Sequence, residues 1–201
     1  ELRRVMPIFD EMRVELMAGQ FLDIHEQTQK NTDLARSMTI ARYKSGKYTI
    51  ERPLHMGAVL AGDASPALLT ALSEYGLPLG EAFQFRDDLL GVFGDPSVTG
   101  KPAGDDLREG KRTALIAMTD AKSTEAMKSE SRKYFGKNDI DEKGVAILQE
   151  MIVSTGAKAA LETMIEDLTS KALSAIENDV IDSAGRDLLN ELALIATKRS
   201  M

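Results

Sequence analysis

Phe83-Gln84-Phe85-Arg86-Asp87-Asp88-Leu89-Leu90-Gly91 is the stretch on which the reading of this chain turns. In a helix, Gln84, Asp87, Asp88 and Gly91 all fall on one face, because they stand three, four and seven positions from the first of them. Phe83 and Leu90 flank that face. Two adjacent carboxylates beside aromatic rings repel one another unless a cation lies between them. Mg²⁺ takes one or two carboxylates and fills the rest of its shell with phosphate oxygens and water, so an Asp pair on a cavity-facing helix suits it. The competing reading is a solvated acidic face with Arg86 as local partner, since charge on helices is common.

In both directions from this stretch the pattern stays helical. Ser65-Pro66 is a capping serine followed by proline at the first helical position. From there Leu68, Leu72, Tyr75 and Leu79 lead into the quoted stretch and on to Phe93. Pro78 predicts a kink near the middle, and Gly94-Asp95-Pro96 a stop. An earlier helix is predicted from Thr32 as N-cap. Its inward stripe is Leu34, Met38, Ala41, Ser45 and Tyr48, with Lys44 beside Ser45, and Pro53 predicts a kink or an end. At the start, Leu2, Val5, Phe9, Met12 and Leu16 repeat at helical spacing. Continuing that stripe puts Gln20 and Asp23 at core-facing positions. Because the repeat starts at once, the chain is expected to begin inside an element, with residues missing upstream. Met6, Met12, Met17 and Met38 read as core or cavity filler.

Alternation of period two is hard to find, while spacings of three and four dominate. After Thr113 helices resume, with breaks predicted near Gly136 to Asn138, Ser154 to Gly156 and Asn178 to Ser183. No internal repeat, low-complexity segment or linker interrupts the 201 residues. The expectation is one all-α domain spanning 1–201, a length that permits a sizeable core.

Composition narrows the function. A formal net charge of -7 argues against a general nucleic-acid binder, which needs a basic surface. No cysteine is present, so disulfides, thiolate metal sites and cysteine nucleophiles are excluded, which is compatible with a reducing cytoplasm. Two histidines, His25 and His55, are too few for a His-rich metal site and read as surface or packing residues. No apolar run is long enough to span a bilayer.

Three more segments carry polar chemistry. Residues 94–112 form a loop rich in glycine and charge, in which Lys101 and Lys111-Arg112 bracket Gly104 and Gly110. Glycines let backbone N–H groups approach an anion, and the cations neutralise phosphate. The loop is not a P-loop, since no G-x-x-x-x-G-K-[ST] occurs; alone it reads equally as a polar surface loop. An inward Lys44 needs an anionic partner or a route by which its ammonium snorkels to water. Gln20 and Asp23 read either as a buried hydrogen-bonded pair or as part of a site.

In chain order the motifs are Gly19-Gln20-x-x-Asp23, Tyr43-Lys44-Ser45, Phe83-Gln84-x-x-Asp87-Asp88-x-x-Gly91 and Gly100-Lys101-x-x-Gly104-x-Asp106-Leu107-x-x-Gly110-Lys111. Together they resemble the trans-prenyl diphosphate synthases, from the middle of those enzymes to their C-terminus. The specific motifs cover residues 15–115. The resemblance implies an antiparallel helical bundle of the isoprenoid synthase type around a central cavity, here without its N-terminal helices, and a homodimer in the cytoplasm. It implies that isopentenyl diphosphate is condensed with an allylic diphosphate, with Mg²⁺ as cofactor, to a longer product such as geranylgeranyl diphosphate. By the same resemblance Asp87 and Asp88 would serve the metal, and Lys44, Lys101, Lys111 and Gln84 the diphosphate. Gln84 and the Lys44-Ser45 backbone would stabilise the allylic cation. Gln20, Asp23 and Asp106 would support the site.

The sequence departs from the family pattern in places. Gly91 stands where the second acidic motif often ends in Asp, and Lys44-Ser45 replaces Lys-Thr. No D-D-x-x-D occurs, so the first acidic motif and the basic residues for isopentenyl diphosphate are expected upstream, and this chain alone is expected to be inactive. Other readings are a non-catalytic subunit of a heteromeric synthase, a terpene cyclase and a helical interaction module. Retention of the acidic and basic motifs, absence of N-D-x-x-S-x-x-x-E, and the inward polar residues respectively argue against them.

Overall fold

The computed structural model describes residues 2–28, 33–100 and 102–198, without the side chains of residues 98 and 99. Every regular element among the described residues is helical, as an all-α chain requires. In order they are α1 (Leu2–Gln27), α2 (Leu34–Ala41), a π-helix (Arg42–Glu51), α3 (Arg52–Ala61), α4 (Pro66–Phe93), α5 (Pro96–Thr99) and α6 (Asp105–Glu109). There follow α7 (Ala114–Lys122), α8 (Glu125–Ser131), α9 (Glu142–Ser154), α10 (Ala157–Ala175) and α11 (Ser183–Thr197).

Local chemistry explains most boundaries. Ser65 Oγ accepts from Leu68 N at 3.4 Å and Pro66 opens α4, which runs on through Pro78 to Phe93. Thr32 lies outside the described residues; Asp33 caps α2, its Oδ1 accepting from Ala35 N at 2.8 Å. Asp141 and Asp182 cap α9 and α11, accepting from Gly144 N at 2.8 Å and Gly185 N at 2.7 Å. Gly156 between α9 and α10 has φ 72°, a left-handed conformation that glycine adopts without strain. The predicted loop over 94–112 is not featureless, because α5 and α6 lie in it. Pro53 lies just past the end of the π-helix at Glu51. It stands in the first turn of α3, where its missing N–H costs nothing.

The described residues form two compact units. Among the described residues, the first draws on those within 2–22, 39–84 and 164–198, the second on those within 23–38 and 85–163. The core of the first packs Ile50 and the α4 residues Leu72, Tyr75 and Leu79 against Ala172, Ile176, Ala193 and Ala196. Tyr75 and Leu79 are fully buried, each such side chain contributing about 1.5–3 kcal/mol relative to an exposed one. The Tyr75 hydroxyl donates to Leu189 O at 2.6 Å, which ties α4 to α11. His55 is buried here too, its Nε2 lying 3.0 Å from both Leu69 O and Ser73 Oγ. In the second unit Phe85, Leu89, Leu107, Leu115, Ile152 and Leu161 are fully buried, and Gln149 Nε2 donates to Val92 O at 2.7 Å.

The stripe expected on α1 drifts. Met12, Gly19 and Glu26 are the buried positions, two helical turns apart, so Gly19 takes the inward place assigned to Gln20. Gln20 is exposed and Asp23 half-buried. Leu2 and Phe9 also face outward. They belong to an apolar outer face that includes Met6, Val14, Met17, Phe21 and Ile24, so Met6 and Met17 are not core filler. Tyr48 is exposed as well. The π-helix bonds residue i to i+5, so a stripe counted at 3.6 residues per turn loses phase across it.

Candidate active site

Each unit holds part of the expected constellation. In the first, Lys44 lies half-buried in the opening turn of the π-helix, with Ser45 and Gly46 buried beside it. The backbone there is closely packed on two sides. A Cβ on Gly19 of α1 would lie 2.6 Å from Lys44 N, and one on Gly80 of α4 would overlap Gly46 Cα. Only glycine permits such approaches. Gln84 is half-buried on α4 and Gln20 exposed on α1.

Beside Lys44 the first unit also holds a set of charges that the sequence reading did not find. The Glu15 carboxylate accepts from Arg52 Nε and Nη2, both at 2.8 Å, and from Lys47 Nζ. Glu11 accepts from Arg52 at 2.9 Å, and Glu51 Oε2 lies 3.8 Å from Lys47 and 3.9 Å from Arg52. Arg42 pairs with buried Glu81 at 2.5 Å. Burial pushes the Glu15 carboxyl up, but the hydrogen bonds from Arg52 and Lys47 outweigh it and hold its pKa below the usual value. The available signal was Glu11 and Glu15 one turn apart on a helix whose stripe runs past both.

In the second unit α4 presents Asp87, which is exposed, and Asp88, which is buried. Next to them the turn at α6 brings Asp106 and Lys111 together at 2.5 Å, with Glu109 at 3.1 Å from the same ammonium. The Lys111 N–H also donates to Asp106 O at 3.0 Å, so backbone and side chain close one small ring. Gly110, at φ 70°, makes that turn possible. Burial raises the Asp106 pKa against the pull of Lys111, and the Asp87 charge adds to the rise. Burial opposes the Lys111 ammonium too, yet its bonds to Asp106 and Glu109 prevail and raise its pKa.

Gly91 acquires a meaning here. A side chain at this position would collide with the Asp106 carboxylate. The place where the related motif often carries an Asp side chain is therefore filled by a carboxylate from α6. Of the expected residues in this unit, Asp87, Asp106 and Lys111 come together; Asp23 is half-buried on α1. Lys101 lies outside the described residues.

Mg²⁺ fits the chemistry of this donor set, which offers hard carboxylate oxygens on α4 with a cation beside them for phosphate. Among the described residues no group of three or more Asp, Glu or His is placed to hold a metal unaided. The remaining ligands would be substrate phosphates, water or groups outside this set.

Comparison with known proteins agrees. Residues 1–152 match the family described as Polyprenyl synthetase. The geranylfarnesyl diphosphate synthase of Aeropyrum pernix is 32% identical over 190 residues, which are 94% of this chain and 58% of that protein. A short chain isoprenyl diphosphate synthase of Methanothermobacter thermautotrophicus is 30% identical over 183 residues, 91% of this chain and 54% of that one. Among solved structures, the geranylgeranyl pyrophosphate synthase of Corynebacterium glutamicum, complexed with isoprenyl diphosphate and magnesium, superposes with a TM-score of 0.94 at 41% identity. That match covers 99% of this chain and 56% of the other. The chain thus spans less than three-fifths of the length of these three relatives. With its helical elements, its acidic α4 face and its matched residues, it belongs to the polyprenyl synthetase family.

Proposed function

We propose that the protein is a Mg²⁺-dependent prenyltransferase that condenses isopentenyl diphosphate with an allylic diphosphate to a longer trans-prenyl diphosphate. The observation that carries this reading is the second unit's arrangement: Asp87 on α4 beside an Asp106–Lys111 pair whose carboxylate is packed into the space above Gly91. It offers a carboxylate for a metal and an ammonium for a phosphate on adjoining elements.

Asp87 and Asp88 would hold Mg²⁺, which when bound neutralises charge on the departing diphosphate. Lys111, Lys101 and Lys44 bind diphosphate oxygens and fix the leaving group. A cation already held in place, as Lys111 is by Asp106 and Glu109, needs little reorganisation as negative charge develops on that group. Gln84 and the Lys44-Ser45 carbonyls would offer the allylic cation dipoles without strong nucleophilicity. Asp106 keeps Lys111 charged and aimed. No side chain of this set acts as the base; the released pyrophosphate takes the proton lost after carbon–carbon bond formation.

The product is geranylgeranyl diphosphate, on the likeness to the Corynebacterium enzyme, while the Aeropyrum relative bears the name of a longer product. The protein works as a homodimer in the cytoplasm. The 201 residues alone are inactive, since they carry one acidic motif of two. The test is incubation of the full protein with Mg²⁺, isopentenyl diphosphate and geranyl or farnesyl diphosphate, reading product length by chromatography. A C20 product is expected, and Asp87→Ala should lower turnover by about 100-fold or more. Absence of any elongated product would overturn the reading.

A further inference from the structure

The ten-residue π-helix Arg42–Glu51 is unusual, because such wide turns occur mostly as single-turn bulges, often at functional sites. Its intrinsic bonding does not account for its persistence, so its neighbours must hold it. Two kinds of contact do so, all within the first unit. One is backbone against backbone: Gly19 meets Lys44, Gly80 meets Gly46, and Gly76 meets Glu51, where an added Cβ would lie 2.9 Å from Cα. The other is ionic. Arg42 is tied to Glu81 of α4 where the π-helix starts, and Lys47 in its middle and Arg52 just past its end are both tied to Glu15 of α1. Glu15 and Gly19 stand four residues apart, so one face of α1 delivers both contacts.

We propose that Glu15 and Gly19 are positioning residues for Lys44, and that Lys47 is a structural lysine committed to Glu15 rather than a second diphosphate ligand. Gly19 sets how closely the Lys44 backbone approaches α1. Glu15 gathers Lys47 and Arg52, which fixes the far end of the wide turn and so the direction in which Lys44 leaves it. Two lysines three residues apart thereby divide their tasks, although both stand in the same Lys44-Ser45-Gly46-Lys47 segment. The proposal rests on the reading that Lys44 holds diphosphate, and the experiment separates the two.

The protein is titrated with inorganic pyrophosphate in saturating Mg²⁺ by calorimetry, well below its melting temperature. The variants are Lys44→Ala, Glu15→Gln, Gly19→Ala and Lys47→Arg, together with the doubles that add Lys44→Ala to Glu15→Gln or to Gly19→Ala. Lys44→Ala is expected to weaken pyrophosphate about tenfold. Glu15→Gln and Gly19→Ala are expected to weaken it at least fivefold in the parent and less than twofold once Lys44 is gone, because both act through Lys44. Lys47→Arg, which retains the cation for Glu15, should bind like the parent. Were Lys44→Ala itself silent, the diphosphate reading of Lys44 would fail, and this proposal with it. Were Lys44→Ala to weaken binding while Glu15→Gln and Gly19→Ala either changed it less than twofold or weakened it equally with and without Lys44, the positioning role alone would fail. Glu15→Gln is the milder replacement and keeps the test decisive if Gly19→Ala does not fold.

Discussion

Gly91 has no side chain, and the Asp106 carboxylate uses the space. Such an exchange of one residue's volume for another's charge makes a sharp prediction. In Gly91→Ala the new methyl must displace Asp106, which loosens the Asp106–Lys111 pair and crowds a packed turn. A loss of about 1–3 kcal/mol is expected, measured by urea denaturation with the slope unchanged. Pyrophosphate binding should weaken with it, since Lys111 would lose the partner that aims it. At this scale the sequence was generous about identity and mute about space. Asp87 and Lys111 could be singled out because charged groups at fixed offsets around glycines suggest a cation and an anion, whereas Asp106 entered only through the resemblance. That Asp106 occupies the place above Gly91 was not legible, because the offset between α4 and α6 is a matter of tertiary packing. The same limit hid Glu15, whose partners Lys47 and Arg52 lie more than thirty positions away.

Helices with a cap and a clean apolar stripe were read almost to their ends, α4 from Ser65-Pro66 being the clearest. The cap supplies the start, the buried Leu72, Tyr75 and Leu79 supply the face, and Gly94 supplies the stop. The attachment of α4 to α11 has a polar component that can be isolated. Tyr75→Phe removes the hydroxyl that donates to Leu189 O and leaves the ring in place. It should cost about 1 kcal/mol in chemical denaturation, the net worth of one hydrogen bond. A far larger loss would mean that the ring had moved. Two elements escaped the sequence for different reasons. α1 is apolar on more than one face, so its inward line could not be chosen by periodicity, and Gly19 was passed over because it has no side chain to count. The π-helix escaped because no residue preference announces i+5 bonding; its cause lies in the glycines and carboxylates of α1 and α4 rather than in its own residues.

For the molecule as a whole, His55 and Glu15 are two of the groups whose shifts weaken the fold in acid, while the raised Asp106 works the other way. Burial holds the His55 pKa below its ordinary value of 6.5. As pH falls through 6.5 the unfolded chain takes up a proton that folded His55 still refuses, so stability declines from there down to the folded pKa. Glu15 adds a second stage. Its folded pKa lies below the model-peptide value of 4.5, so the unfolded carboxylate protonates first and stability falls again below that pH. The urea midpoint should therefore drop in two steps on acidification from pH 8. His55→Gln should flatten the upper step and leave the lower one. Fold class was legible at this scale because every strong periodicity pointed to helices. The assignment to two compact units was not, since it arises from contacts among segments far apart in sequence.

The outer face of α1 has a consequence for handling. Val14, Met17, Phe21 and Ile24 are each about two-thirds exposed, so the chain by itself shows water a greasy ridge on a body of net charge -7. In dilute buffer that charge keeps neighbouring molecules apart. Added salt shortens the reach of the repulsion from about 10 Å at 0.1 M to about 3 Å at 1 M, while leaving the ridge as sticky as before. The isolated chain should therefore be most soluble where ionic strength is lowest, and high-salt purification would drive it to cluster through α1.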